Sequence, residues 1–418
     1  MAHQWLTTIV LTGAALPVIF TGTVVLSAEL EGSSYTLNDI LDLAMKRNPS
    51  LAGAASVLDQ RLGQRIAAGA YPNPSITGAA GRGSIRDPST GVSIVERTVT
   101  VEQPLEWPEK RAARKRAAEA GVGVASAGLD EATLKVTTDV KVAFYQLLLA
   151  QRDAALADQN LRTVEEVAEI VNTRVSTGES AKFEAIKANV EVQKGRKELT
   201  RAQNALLVAR TKLDVLTGKA LGQEFAIQGD FIAFPSGLKL HALIGRALEQ
   251  HPAIRQQQKL VEQAGSTLAQ ERASRMPNVS VQGTYHREAG DEAITAGLSI
   301  PLPLWYRRQG EISTALGAQR QAEAEQERLR NELEQAVTQY YQDARTANEQ
   351  INVFEKGLLN QAKEALEIAR FSFQHGAISL LDVLDAQRVY RQTLLEYAEA
   401  RSGLSIALAR LERSVGAL

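Results

Sequence analysis

Apolar and polar residues alternate along two short stretches of the chain, residues 93–103 and 293–300. In the first stretch, Val95, Val99 and Val101 fall on one face and Glu96, Thr98, Thr100 and Glu102 on the other. Weaker alternation precedes each stretch, over residues 75–85 and 279–287. A period of two predicts β-strands with one apolar face. Each predicted strand has about ten residues, which is the length at which a tilted strand crosses a membrane. The strands are therefore predicted to form part of the wall of a β-barrel. Their apolar side chains would face outward and their polar side chains would line a water-filled interior.

Most of the remaining chain is rich in Ala, Glu, Arg, Leu and Gln, which favour helices. Residues 108–175 and 309–373 lack internal proline, and each would span roughly 100 Å as a helix. A shorter helix, residues 36–69, precedes the first strand pair, and a return helix, residues 180–216, follows the first long helix. The two shorter helices together match the long one, so they are predicted to stack end to end beside it. Such a rod cannot hide its apolar faces alone and must pack into a larger bundle.

This order of elements occurs twice, and short motifs recur at a period of about 200 residues. The recurring pairs are RNPSL with QHPAI, YPNPSI with MPNVSV, QPLEW with IPLPLW, and STGESAKFEAIKAN with QHGAISLLDVLDAQ. The second short helix is predicted at residues 240–274 and the second return helix at 379–415. The two structural repeats are therefore residues 29–218 and 239–418, joined by a linker, residues 219–238, whose Gly and Pro residues predict a loop.

The N-terminal segment differs from the rest. Residues 5–28 carry no charge and end in Leu26, Ser27 and Ala28, which is a small-residue cleavage pattern. The pattern predicts a secretory signal peptide, residues 1–28, that is cleaved after Ala28. A retained anchor is the alternative, because the run is about long enough to span a bilayer. Either outcome places the chain outside the cytoplasm.

Composition narrows the possible functions. Aromatic residues make up only 5% of the chain, which predicts a core of Ala, Leu and Val. The absence of Cys excludes disulfides, thiolate metal sites and an N-terminal lipidated Cys. The net charge of −1 gives no indication of nucleic-acid binding. No catalytic or phosphate-binding motif is present, and no two of His241, His251, His286 and His375 lie four residues apart. The sequence therefore predicts no catalytic residue, no metal site and no cofactor.

Four strands cannot close into a barrel, and open strand edges are not tolerated in lipid. The chain must therefore supply one part of a barrel that several chains share. Trp107 and Trp305 follow the second strand of each pair. They are either aromatic residues at a membrane interface or buried packing residues at the junction of strand and helix.

A glycine interrupts each repeat before its return helix, at Gly178 and Gly376. Beyond the second glycine, the three-residue spacing of Asp382 and Asp385 places both carboxylates on one helix face. Ser379 with Asp382 also matches a capping box, so Asp382 has two possible roles. Capping does not explain Asp385, which lies beyond the first turn.

These features resemble the outer-membrane efflux protein family, the TolC-like trimeric exit ducts. The most specific match is Gly376 followed by SLLDVLDAQ. The stretches NPSLAGA, YPNPSITG and VEQPLEWPEKRAARKRAAEA resemble the cobalt–zinc–cadmium branch of that family, the CzcC-like proteins. Where that branch usually has Gly-Gly-Lys-Arg after the strand, this chain has PEKR.

The resemblance implies a homotrimer in the outer membrane whose helices extend into the periplasm as a tunnel. Three chains with four strands each would make a twelve-stranded transmembrane β-barrel above an α-helical coiled-coil barrel. The turns at Gly178, Glu179, Gly376 and Ala377 would meet a periplasmic membrane-fusion adaptor and, through it, an inner-membrane pump of the RND type. The barrel would contact outer-membrane lipid.

In the family, acidic residues after the second turn narrow the periplasmic entrance. The matching residues here are Asp382 and Asp385, with Glu184 in the first repeat; Phe373 stands where family members often have a Tyr. The implied function is passive conduction of substrate, with heavy-metal cations as the expected cargo. A duct of the same fold for drugs or proteins, or a periplasmic coiled-coil scaffold without a pore, is the alternative.

Overall fold

The computed structural model describes residues 34–416, apart from 87, 88, 90–92, 223, 289 and 290. The predicted signal peptide and its cleavage after Ala28 lie outside the described residues. In the first repeat the elements are β1 (Ser34–Tyr35), α1 (Leu37–Arg47), α2 (Pro49–Gly69), β2 (Ser75–Arg86), β3 (Ser93–Leu105), α3 (Pro108–Ser176) and α4 (Lys182–Leu216). The second repeat contains β4 (Ala226–Ile227), α5 (Leu240–Gln250), α6 (Pro252–Ala273), β5 (Val279–Glu288), β6 (Asp291–Ser299), α7 (Gln309–Val353), α8 (Leu359–Gln374) and α9 (Leu380–Val415).

Each long helix has two shorter helices beside it, as predicted. In the first repeat α2 and α4 both pack along α3, and in the second repeat α6 and α9 both pack along α7. The helix α3 has 69 residues without a break, which corresponds to roughly 100 Å. Since α3 also packs on α6 and α9, the two repeats form one helical body.

The prediction of one continuous helix before each strand pair is wrong. Each of these segments is two helices, separated at Asn48 in the first repeat and at His251 in the second. Both residues have extended backbone because a following proline disfavours the helical conformation. The prolines Pro49 and Pro252 then begin α2 and α6, where their missing N–H is not needed.

The second long helical segment is also interrupted, unlike the first. A π-helical turn, Phe354–Leu358, separates α7 from α8. A π-turn inserts one more residue per turn than an α-helix and thereby shifts the faces of the helix that follows. The sequence prediction of an unbroken helix over residues 309–373 is therefore wrong at this turn.

The four long strands form one antiparallel sheet in the order β2-β3-β5-β6. The central pair joins the two repeats, with Thr98 opposite His286 and Thr100 opposite Thr284. Valine, isoleucine and leucine side chains of β3 and β6 lie on one face, as predicted, and Thr100 meets Thr284 on the other at 3.1 Å between hydroxyl oxygens. Among the described residues, β2 and β6 each have a neighbour on one side only.

The predicted linker is more than a loop. Its short strand β4 pairs in parallel with β1, so that Tyr35 lies opposite Ile227. Phe225, Ile227 and Phe231 are buried in the largest apolar cluster, with Phe144 and Leu147 of α3. Apart from β4, the described residues of 219–238 form no helix or strand, so the predicted loop is present and packs into the core of the helical body.

Alanine dominates the rest of the core, as the low aromatic content predicted. One apolar face of α4 has no partner among the described residues. It carries exposed large side chains at six positions: Phe183, Ile186, Val190, Leu207, Val208 and Val215. This unpartnered face agrees with the expectation that the rod packs into a larger bundle.

Candidate functional site at the helical turns and on the sheet

The turns between α3 and α4 and between α8 and α9 have the same backbone geometry. Gly178 and Gly376 have φ of 83° and 73°, in the left-handed region that glycine enters without a steric penalty. In each turn the following amide donates back across five residues, from Glu179 to Arg174 O and from Ala377 to Ser372 O, both at 2.8 Å. A Cβ added to either glycine would meet no atom within 4 Å. Both turns are therefore open at the end of the helical body.

Arg174 connects the two turns across the repeats. Its guanidinium donates to the carbonyl oxygen of Gln374 at 3.1 Å and lies 4.9 Å above the ring centre of Phe373. Phe373 is buried with Leu380 and Val383 in the apolar cluster at this end of the molecule. Sequence reasoning missed Arg174; the available signal was a cation in the last turn of a helix, where it can bind free carbonyl groups.

Asp382 forms a capping box with Ser379 at the start of α9. Its Oδ2 accepts from the Ser379 amide at 3.0 Å and from the Ser379 hydroxyl at 2.8 Å. The Asp382 amide in turn donates to the Ser379 hydroxyl at 3.4 Å. The side-chain and then the backbone hydrogen bond from Ser379 lower the pKa of Asp382 below its ordinary value. The capping role considered for Asp382 is therefore present in the structure.

The other predicted gate residues lie in different surroundings. Asp385 is exposed and forms an ion pair with Arg388 on the same helix. Glu184 is half-buried in the first turn of α4, and the residue before this helix, Ala181, offers no side-chain cap. Among the described residues no hydrogen bond or ion pair joins Glu184 to either aspartate. The ring of acidic residues stays a prediction that requires several chains.

The predicted interface tryptophans lie where the sheet meets the helices. Trp107 is 41% exposed and donates from its indole N–H to Pro277 O at 2.7 Å, whereas Trp305 is 90% exposed. Neither is buried within the single chain, and the interface role of both stays a prediction. Leu302, Leu304 and Tyr306 are exposed beside Trp305. An exposed group of this composition is typical of residues at the boundary of lipid and water.

Among the described residues, no helix has the length and apolarity that crossing a bilayer requires.

A family model described as outer membrane efflux protein matches residues 40–219 and 243–417. The chain belongs to this family. The two matched segments follow the two repeats and confirm the tandem arrangement. As an outer membrane efflux protein, the chain is placed in the outer membrane of a Gram-negative bacterium.

Related outer membrane efflux proteins include curated and structurally characterised examples. The chain is 28% identical to the cobalt-zinc-cadmium resistance protein CzcC of Cupriavidus metallidurans, over 91% of this chain and 90% of that protein. It is 24% identical to the cation efflux system protein CusC of Escherichia coli K12, over 65% of this chain and 63% of CusC. Among solved structures, a membrane protein from Pseudomonas aeruginosa has a TM-score of 0.79 at 19% identity, covering 91% of this chain and 90% of that one. VceC from Vibrio cholerae has a TM-score of 0.74 at 19% identity, covering 91% of this chain and 96% of that one.

These likenesses confirm the predicted fold class of this outer membrane efflux protein, mainly helical with a smaller β portion.

One cluster of side chains on the sheet was not predicted from the sequence. The pairing of β3 with β5 brings Glu96, His286 and Glu288 together, although the histidines are widely spaced along the chain. Spacing in sequence could not find this cluster, because it depends on strand register.

Proposed function

We propose that three copies of this outer membrane efflux protein form an exit duct that passively conducts heavy-metal cations to the exterior. Cargo would arrive from a periplasmic adaptor and an inner-membrane pump of the RND type, which supplies the energy, so the duct itself performs no catalysis. The observation that carries the proposal is the four-stranded sheet with two unpaired edges on a helical body. Open strand edges are not tolerated in lipid, so the sheets of three chains would close into a barrel of twelve strands.

The cargo is proposed from the curated relatives. CzcC, named for cobalt, zinc and cadmium resistance, matches over nearly the whole chain, which supports divalent heavy-metal cations. A second candidate cargo is supported by OpmQ of Pseudomonas aeruginosa, an outer membrane protein named for pyoverdine export, which is 24% identical over 74% of this chain. An organic iron chelator would therefore be the alternative substrate class.

Deletion of the gene in its native host tests the cargo. Loss of resistance to Zn²⁺, Co²⁺ or Cd²⁺, restored by the wild-type gene, supports the metal duct. Unchanged metal tolerance together with retention of a chelator inside the cells would contradict it and favour the second candidate.

The adaptor is proposed to dock at the two open turns. The support is their shared shape and the free space around Gly178 and Gly376. The neighbours Glu179 and Ala377 do not have left-handed backbone, so they can be enlarged without straining the turn. Glu179→Trp and Ala377→Trp should reduce resistance while the protein still assembles in the outer membrane. Full resistance in the double variant would contradict docking at these turns.

The periplasmic entrance is proposed to lie at Asp382 and Asp385, with Glu184 nearby. In a trimer the two aspartates give six carboxylates around one axis, a ring that attracts cations and repels anions. Planar-bilayer recordings of the Asp382→Asn and Asp385→Asn double variant should show lower cation selectivity and weaker block by divalent cations from the periplasmic side. Unchanged selectivity would leave Asp382 as a capping residue only.

A further inference from the structure

Three metal-binding side chains converge on the polar face of the sheet, towards the ends of β3 and β5 that lead into their hairpins. Glu96 belongs to β3, and His286 and Glu288 belong to β5. The register that sets Thr98 opposite His286 places Glu96 beside Glu288 on the same face. Their side chains are 33–44% exposed, so water and ions can reach them.

The distances in this cluster suit one cation. His286 Nε2 lies 3.6 Å from Glu96 Oε1 and 3.4 Å from Glu288 Oε2, and one ligand atom from each residue lies within 4.8 Å of the other two. Zn²⁺ binds nitrogen and oxygen ligands at about 2.0–2.2 Å in tetrahedral geometry, which separates neighbouring ligands by about 3.3–3.6 Å. The two distances from Nε2 already have this spacing.

A hydrogen bond holds the imidazole in a suitable orientation. Thr98 Oγ1 lies 3.0 Å from His286 Nδ1, on the side of the ring away from the carboxylates. When the Nδ1–H donates this hydrogen bond to the hydroxyl oxygen, Nε2, the ring nitrogen next to the two carboxylates, keeps its lone pair for a cation. Metal-binding histidines are commonly oriented by a partner of this kind on the other ring nitrogen.

The charges around the cluster also favour a cation. Two carboxylates directed at the same point repel each other unless a positive charge lies between them. Within the described part of the chain, neither Glu96 nor Glu288 has a Lys or Arg partner. The basic neighbour Arg287 points to the opposite face, where it pairs with Glu292 at 3.5 Å.

Small residues leave room for additional ligands. Gly81 lies opposite Glu96 on β2, Ala79 lies opposite Thr98, and Ala293 lies opposite His286 on β6. A cation held by three protein ligands would therefore have space for water in its remaining coordination position. An open position of this kind allows a bound cation to exchange.

We propose that Glu96, His286 and Glu288 bind one divalent transition-metal cation, Zn²⁺ or Co²⁺, in each chain. The ligand set of one imidazole and two carboxylates, with no sulfur, favours these cations over soft monovalent ions such as Cu⁺. Cation binding at these three residues does not depend on which substrate the duct conducts. A role for the site in binding exported cations near the exit of the duct rests on the proposed function.

Titration of the full-length protein with Co²⁺ in detergent tests the site, with visible absorption reporting coordination geometry. The protein is purified without a polyhistidine tag, so that only native histidines are present. We expect one Co²⁺ per chain, displaced by Zn²⁺, and loss of this binding in His286→Gln and Glu288→Gln. Thr98→Val should weaken Co²⁺ binding by about 10–100-fold, because it removes the partner that orients the ring.

Two control variants keep the charge count equal to that of the Glu288 variant. Glu102→Gln lies on the same face of β3, further from the cluster, and Glu292→Gln lies on the opposite face. Both should bind Co²⁺ like the wild type. Absence of Co²⁺ binding to the wild type, or equal binding to His286→Gln, overturns the proposal.

Resistance measurements separate this proposal from the proposed function. A wild-type gene that restores Zn²⁺ resistance while the purified protein binds no Co²⁺ overturns the site and leaves the metal duct standing. The converse result is that Co²⁺ binds at the three residues while deletion of the gene leaves metal resistance unchanged. That result confirms the site and contradicts heavy-metal export.

Discussion

Two residues at corresponding positions of the two repeats both cap a helix, but with different side-chain chemistry. Asn48 and His251 each precede a proline and cap the helix that follows. The Asn48 side-chain oxygen accepts from the Ser50 amide at 2.8 Å, and His251 Nδ1 accepts from the Ala253 amide at 3.0 Å. The imidazole serves as a cap only while Nδ1 is unprotonated, so this cap depends on pH and the amide cap does not.

We predict a pH-dependent stability that His251→Asn removes. Burial lowers the pKa of His251 from 6.5 to about 4. Between these values the unfolded chain binds a proton that the folded chain does not, so stability is complete above pH 6.5 and falls as the pH is lowered towards 4. The loss is at most about 3 kcal/mol. Groups facing His251 are Glu131 on α3, Arg413 on α9 and Arg255 on α6.

Thermal melting of both proteins at a series of pH values measures this effect. The melting temperature of the wild type should fall relative to that of His251→Asn between pH 6.5 and 4, and run parallel to it above pH 7. Parallel curves over the whole range would contradict the assignment. The variant supplies at position 251 the side chain that already caps α2, which limits any unrelated change in structure.

The first turn of α9 provides a second prediction at this scale. Ser379→Ala removes the hydroxyl that accepts from the Asp382 amide, and loss of such a cap costs about 1 kcal/mol. Hydrogen exchange of the first amides of α9 should become about fivefold faster. The matched change Ala181→Ser, at the uncapped start of α4, should slow exchange there instead. Equal exchange in Ser379→Ala and the wild type would show that the capping box does not hold this turn.

At the scale of helices and strands, the sheet depends on which face each side chain occupies. Val99 of β3 lies opposite Tyr285 of β5 on the apolar face, and the next residue, Thr100, lies opposite Thr284 on the polar face. Adjacent positions therefore differ in their surroundings although they share the same strand and depth.

We predict that Val99→Arg reduces assembly in the outer membrane whereas Thr100→Arg does not. In a membrane-spanning barrel, arginine on the lipid side costs about 2–4 kcal/mol near mid-depth, whereas arginine facing the water-filled interior is tolerated. Val99→Arg should therefore reduce the amount of assembled protein in outer-membrane extracts, and Thr100→Arg should leave it unchanged. The reverse result, or equal loss in both variants, would contradict the assignment of faces.

Some features of this fold are encoded locally in the sequence, and others depend on packing between distant segments. Period-two alternation located β3 and β6 to within about two residues, and helix-forming composition with no internal proline located α3. The breaks at Asn48 and His251 were visible as residues before proline, but the helical pattern on both sides concealed them. The π-turn and the pairing of β4 with β1 have no local signal, because both arise from packing. The cluster of Glu96, His286 and Glu288 likewise required the register of β3 with β5.

At the scale of the whole molecule, the unpaired edges of β2 and β6 determine how copies of the chain can meet. Edge strands with free N–H and C=O groups pair readily with other strands. Joining β6 of one chain to β2 of the next repeats the antiparallel order of the sheet around a closed ring.

Introduced cysteines test this joint directly, because the natural chain contains no Cys. Thr77→Cys on β2, combined in turn with Ala293→Cys, Thr295→Cys or Gly297→Cys on β6, scans possible registers on the polar face. At least one pair should give covalent dimers and trimers after oxidation, since a disulfide needs Cα atoms about 4.4–6.8 Å apart.

The control is a pair within one chain. Thr100→Cys with Thr284→Cys, directly opposite each other in the sheet, should form a disulfide without linking chains. Formation of this internal disulfide without any linkage between chains in the whole β2–β6 series would contradict a barrel closed through these edges.

The two unpaired edges also have a consequence for inheritance. In the proposed trimer every subunit takes part in two of the three joints, so one subunit with a damaged β6 edge leaves the ring open even when its partners are intact. In a cell that makes equal amounts of normal and damaged chains, random assembly leaves only about one trimer in eight free of damage. An allele that spoils the edge but spares the helical body is therefore expected to be dominant, whereas an allele that prevents the chain from folding at all is expected to be recessive.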